Sequence, residues 1–153
     1  MRYVVAAVLI LTAIIWWGGR LKAGPPEAVV EEFLRAVQRQ NWGRAEGYMT
    51  QHIRGRLSGE GIGGMERFVG ARLEPFQSFE IVRVSRRGAE IDVVARLSLP
   101  APEDASAAQT AVGAHGAPGR LEGGRFVHAH RFQLQPEGRR WRIYQFEEVD
   151  DRP

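Results

Sequence analysis

Residues 125–149 read RFVHAHRFQLQPEGRRWRIYQFEEV. In Arg125–Gln135 the side chains alternate, with Phe126, His128, His130, Phe132 and Leu134 on one face. Pro136-Glu137-Gly138 is a turn signal. Arg139–Val149 then resumes as a strand with Trp141 and Ile143 inward. Working outward, Ala89–Leu99 alternates in the same way. Ile91, Val93, Ala95, Leu97 and Leu99 oppose Asp92, Val94, Arg96 and Ser98, so Asp92 is expected to see solvent. Phe76–Arg86 precedes it across an Arg87-Gly88 turn. The second half of the chain therefore predicts four antiparallel strands with one buried face.

Upstream, the period changes from 2 to 3.6. Glu27–Gln40 carries Val29, Val30, Phe33, Leu34 and Val37 on one stripe, and Glu31–Arg35 is a favourable i, i+4 pair. Asn41 stops that helix and caps a second, which carries Trp42, Ala45, Tyr48 and Met49. Glycines at 59, 61, 63 and 64 break the chain. Met65–Leu73 forms a third helix, ended by Pro75. Pro100–Arg120 is rich in Ala, Gly and Pro and has little to bury, which predicts a mobile excursion between paired strands.

Tyr3–Gly19 (YVVAAVLILTAIIWWGG) has no charge. As a helix it would reach about 25 Å at ~1.5 Å per residue, the short end of a membrane span. Tyr3 stands at one edge and Trp16 and Trp17 at the other, where aromatic rings favour the headgroup zone, and Arg20 and Lys22 follow. A cleavage site would want small residues at −3 and −1. Leu21 before Ala23 and Lys22 before Gly24 fit poorly, which favours a retained anchor. The expected organisation is an anchor over 1–22, a linker over 23–26, a domain over 27–149 with an insert at 100–120, and a tail over 150–153.

The chain has 153 residues, 44% apolar and 25% charged, which suits one packed domain. The absence of cysteine excludes a disulfide scaffold, a thiolate zinc site, a thiol nucleophile and a lipidated Cys. The net charge of +3 resides entirely in residues 1–22, because 23–153 hold 18 basic and 18 acidic residues. The domain lacks the clustered basic excess that nucleic-acid binding requires.

Helices followed by an antiparallel sheet, in this order, resemble the nuclear transport factor 2-like superfamily, which includes SnoaL-like and cystatin-like cones. PPEAVVEEFLRAVQRQNWGRAEGYMT (25–50) is similar to that family's opening, and FQLQPEGRRWRIYQF (132–146) to its closing hairpin. The resemblance implies an α+β fold: three helices packed on a curved four-stranded antiparallel sheet, here behind a transmembrane helix. The superfamily hosts isomerases, dehydratases, transport factors and assembly modules, so fold alone does not set activity. A single-span anchor before such a domain resembles assembly subunits of secretion machines and bacterial envelope proteins of unassigned role. Dimerisation through the sheet is common in the family, so a homodimer is one expected partner state.

His128 and His130 stand two apart on a strand, so their rings share a face roughly 6–7 Å apart. With Tyr48, Phe132 and Trp141 they are the candidate pocket residues. A metal site lacks a third ligand: Leu134 and Gln135 stand where a carboxylate is wanted, and His115 lies in the insert. Acid–base catalysis lacks a buried carboxylate near the pair, with Tyr144 turned inward only if the last strand bulges. Arg86-Arg87 and Arg139-Arg140 fall at hairpin tips and read as solvated turns. No catalytic residue, metal or cofactor is assigned. The expectation is a single-pass membrane protein whose extracytoplasmic domain is a non-catalytic interaction or assembly module with a protein partner. The alternatives are a small hydrophobic ligand, or acid–base chemistry, in the same pocket.

Overall fold

Pro26 opens the first helix, where its missing N–H costs nothing and its fixed φ suits the helical turn. This helix, α1 (Pro26–Gln38), buries Val30, Phe33, Leu34, Ala36 and Val37, the expected stripe with Ala36 added and Val29 only partly buried. It ends where Gln40 turns to φ 54 and the Asn41 N–H donates to the Ala36 carbonyl at 2.9 Å. The Asn41 side chain then accepts from the Arg44 N–H at 3.1 Å and caps α2 (Trp42–Glu46). The computed structural model describes residues 24–59, 63–100, 120–122 and 125–150. The apolar segment 3–19 and residues 101–119 of the insert lie outside these. Among the described residues no helix is long and apolar enough to cross a membrane.

The expected second helix divides. Tyr48–Thr50 leaves the helical path because its backbone is claimed by the last strand. The Thr50 N–H donates to the Ile143 carbonyl at 3.0 Å and the Ile143 N–H to the Tyr48 carbonyl at 2.9 Å. A separate helix, α3 (Gln51–Ser58), follows, with Ile53 and Leu57 buried one turn apart. The next, α4 (Gly64–Gly70), buries Met65 and Val69. The described residues thus form four helices where three are expected.

The strands fall within two residues of their expected limits: β1 (Ser78–Arg87), β2 (Glu90–Leu99), β4 (Arg125–Glu137) and β5 (Arg140–Val149). They pair antiparallel in the order β1-β2-β4-β5. A three-residue strand, β3 (Arg120–Glu122), pairs with Arg125–Val127 and so continues the β5 side of β4. The molecule is α+β, with the helices on one face. Both hairpins close through two-residue loops led by a left-handed glycine, Gly88 (φ 65) and Gly138 (φ 63). The second turn is therefore Gly138-Arg139, and Pro136 lies inside β4 opposite Trp141. β2 ends opposite Leu134, so the N–H that proline lacks has no ladder partner to lose.

Extra residues interrupt two ladders, Val82 in β1 and Tyr144 in β5. The second decides the core. Leu134 pairs with Ile143 but Gln133 pairs with Gln145. Side chains after Tyr144 therefore change faces, and Phe146 and Glu148 turn inward. Phe146 then meets Phe33, Phe132 and Phe68 at ring-centroid distances of 5.6–5.7 Å.

Candidate functional site

β4 places His128 and His130 on the inner face, as the alternation requires, and both are buried. The shifted register of β5 sets Glu148 opposite His130. The Glu148 carboxylate Oε1 is hydrogen-bonded to His128 Nδ1, with the two side chains only 4% and 3% exposed. The Phe126 ring packs on His128 with centroids 5.0 Å apart. The other ring nitrogen, Nε2, is buried without a hydrogen-bond partner. Arg72, Glu74, Leu97 and Leu99 close the surroundings and leave no room for a water molecule.

A carboxylate on Nδ1 fixes one imidazole tautomer and orients the ring, which is how a histidine is prepared for proton transfer at Nε2. Glu148 is the buried carboxylate that the alternation argument did not find. The signal was present: the inward apolar residues of the last strand stand at 141, 143 and 146, a step of two and then of three. Among the described residues no three His, Asp or Glu side chains are placed to hold a metal ion.

The other candidate residues do not join this cluster. Phe132 is fully buried between Phe33 and Phe146 and is core. Trp141 lies opposite Pro136, eight residues along β4 from His128, or about 26 Å at ~3.3 Å per residue. Tyr48 is half-buried near Ile143, and its hydroxyl accepts from Arg44 Nε at 3.4 Å. That contact, with the Glu32 carboxylate, raises the Arg44 pKa. Although β5 does bulge, Tyr144 faces outward and donates to Glu90 Oε2 at 2.9 Å. Burial, and then this hydrogen bond, push its phenol above the ordinary tyrosine range.

On the outer face, Asp92 points away from Ile91 and Val93 as expected but is buried, contrary to the expected exposure. Long neighbours cover it: Arg87 reaches its Oδ2 at 3.5 Å and Gln133 Nε2 its Oδ1 at 3.4 Å. Arg131 is paired with Glu147 beside them, and that hydrogen bond raises the Arg131 pKa. At the hairpin end, Glu137 Oε1 accepts from the Gln51 N–H at 2.9 Å and caps α3, whose own Thr50 supplies no side-chain cap. Arg54 and Arg142 stand 3.7 and 3.9 Å from the other carboxylate oxygen. Burial, followed by repulsion from Arg54 and Arg140, lowers the Arg142 pKa.

The open concavity lies elsewhere. A groove of about 820 Å³ runs between β5 and the helices α3 and α4, lined by His52, Ile53, Arg56, Phe68, Arg72 and the segment 144–148. It continues between α3 and α4 past Leu57 and Arg67 as a recess of about 520 Å³. The Arg72 guanidinium sits over the Phe68 ring, 4.0 Å from its centroid, and donates to the Phe68 carbonyl at 2.9 Å.

No protein-family model and no curated protein matches this chain.

Proposed function

We propose that this chain is a non-catalytic interaction module that recognises a protein partner. In this reading residues 3–19 anchor it in the cell membrane and the domain lies outside the cytoplasm. The fold is read as a nuclear transport factor 2-like cone, and the two strand bulges support a curved sheet. The observation that carries the proposal is the contrast between a filled inner face and an open groove. Phe33, Phe132, Phe146, Leu97 and Leu134 close the interior at 0–3% exposure, while the groove along β5 stays accessible. The outer sheet face is a weaker candidate, because its charges already pair with one another and a partner would have to desolvate them.

The absence of cysteine permits a direct test. Ala71→Cys places one thiol in the groove and Ser85→Cys places one on the outer face. Each would carry a photo-activated crosslinker in cells making the full chain. A discrete adduct from Ala71 alone supports the proposal, and equal or absent adducts at both sites count against it. A membrane-impermeant maleimide on Ser85→Cys in intact cells tests the topology. Labelling only after lysis would place the domain inside.

A second reading is acid–base chemistry at His128, favoured by its orienting carboxylate and unpartnered Nε2. It requires the site to open. A thermal shift with a small hydrophobic ligand, abolished by Leu99→Phe, would support a ligand site there, and turnover lost in His128→Ala with the fold intact would be needed for acid–base chemistry.

A further inference from the structure

The edge of β5 that is unpaired among the described residues, and the charges beside it, define what the groove would take. The chain already uses the start of this edge. Met49 makes a parallel bridge to Ile143, whose N–H and C=O both point away from β4 toward Tyr48 and Thr50. Leu134, the partner of Ile143, must then bond toward β2, and by alternation so must Phe132 and His130. Their β5 partners are Phe146 and Glu148. The backbone N–H and C=O groups of those two residues therefore also point away from β4, into the groove. Among the described residues no strand pairs with them. An unpaired edge of this kind is a template for an added strand.

The side chains along the groove are asymmetric in charge. The Glu148 carboxylate is held by His128 and that of Glu147 by Arg131. Opposite them stand Arg56 on α3, Arg67 on α4 and Arg72 just beyond it. Arg56 and Arg72 make no ion pair among the described residues. Ile53 and Phe68 form an apolar floor between the arginines.

We infer that the groove binds an extended acidic segment of a protein partner, which adds as a strand to β5 beside Phe146 and Glu148 and sets its carboxylates against Arg56 and Arg72. This rests on the groove being the docking site. Tyr144–Val149 would span about 20 Å, so five or six partner residues fill it. Backbone pairing supplies affinity, and the arginines select the partner's charge.

The test uses the full chain in detergent micelles and three synthetic peptides. One alternates Glu and Val, one has Lys in place of Glu, and one is the acidic peptide with a central Pro. The acidic peptide should bind, should slow amide exchange at Phe146 and Glu148, and should bind about tenfold more weakly to Arg56→Glu. The Lys and Pro peptides should each bind at least about tenfold more weakly. Equal binding of the Lys peptide would overturn the acidic preference and leave the groove as a docking site. Equal binding of the Pro peptide would overturn strand addition. Slow exchange at Phe146 and Glu148 without any peptide would mean the edge is already covered and would overturn the inference. The crosslinking result from Ala71→Cys would stand independently of that outcome.

Discussion

Glu148 and His128 show how one carboxylate changes the meaning of a buried residue. Two isolated polar groups at this depth would each lack hydration, and together they satisfy one another at Nδ1 and Oε1. Removing one partner strands the other, so Glu148→Ala should cost about 1–3 kcal/mol. The paired replacement His128→Leu with Glu148→Leu should cost less than the sum of the single changes, because it leaves neither group stranded. Urea melts of the four chains measure this. A sum that simply adds would mean the two groups do not interact. Tyr144 makes a pH-dependent contribution. Its folded pKa is raised, above an unfolded value of ~10. The stabilisation is thus present at neutral pH and is lost as pH rises through the folded value. Melting temperatures between pH 8 and 11 should converge for the wild type and Tyr144→Phe as the phenol ionises.

At the scale of elements, the start of α3 and the register of β5 both depend on distant residues. α3 has only Ile53 and Leu57 to bury and no side-chain cap of its own. Its cap is Glu137, from a hairpin 86 residues on. Glu137→Ala should lower stability by about 1 kcal/mol, since it removes both the cap and a negative charge at the helix N-terminus. Chemical denaturation would register the loss, and an unchanged midpoint would contradict the capping role. The bulge at Tyr144 is a sharper case. Deleting that residue would restore an unbroken alternation and keep the present pairing, with Gln145 opposite Gln133 and Phe146 and Glu148 still inward, so the chief loss would be the Tyr144–Glu90 hydrogen bond. A hydrogen bond of that kind contributes about 0.5–1.5 kcal/mol net, or somewhat more when it goes to a charged group. The deletion variant should keep a cooperative thermal transition by circular dichroism, and loss of that transition would contradict Tyr144 being the extra residue of the bulge.

For the whole molecule, the sheet separates two environments. The inner face is a continuous apolar core joining α1, α3 and α4 to β2, β4 and β5. The outer face is a mesh of paired charges over Asp92 and Val94. The only large apolar side chain exposed among the described residues is Val84, at 46%. The proposed recognition site is therefore the groove at the sheet edge, where apolar floor, arginines and backbone groups coincide. Raising the salt from 50 to 500 mM should weaken acidic-peptide binding there several-fold, because exposed charges are screened over about 4 Å near 0.5 M. Calorimetry in both buffers tests that expectation, and salt-independent binding would contradict it.

The change of period at residue 76 and the alternation in 89–99 and 125–135 determined the class, the strand limits and the inward placement of the histidines. These follow from local geometry, since side chains alternate on any extended backbone and recur every 3.6 residues on any helix. Asn41 likewise announced its cap, because the bond it makes spans three residues. Tertiary structure alone decided the break at Tyr48–Thr50, the cap from Glu137, the burial of Asp92 and the arrival of Glu148 beside His128. Each depends on partners tens of residues away, and in β5 a single extra residue reverses which face is buried. The candidate site was half legible for the same reason. Its histidines were placed by local alternation, whereas its carboxylate and the open groove were placed by register and packing.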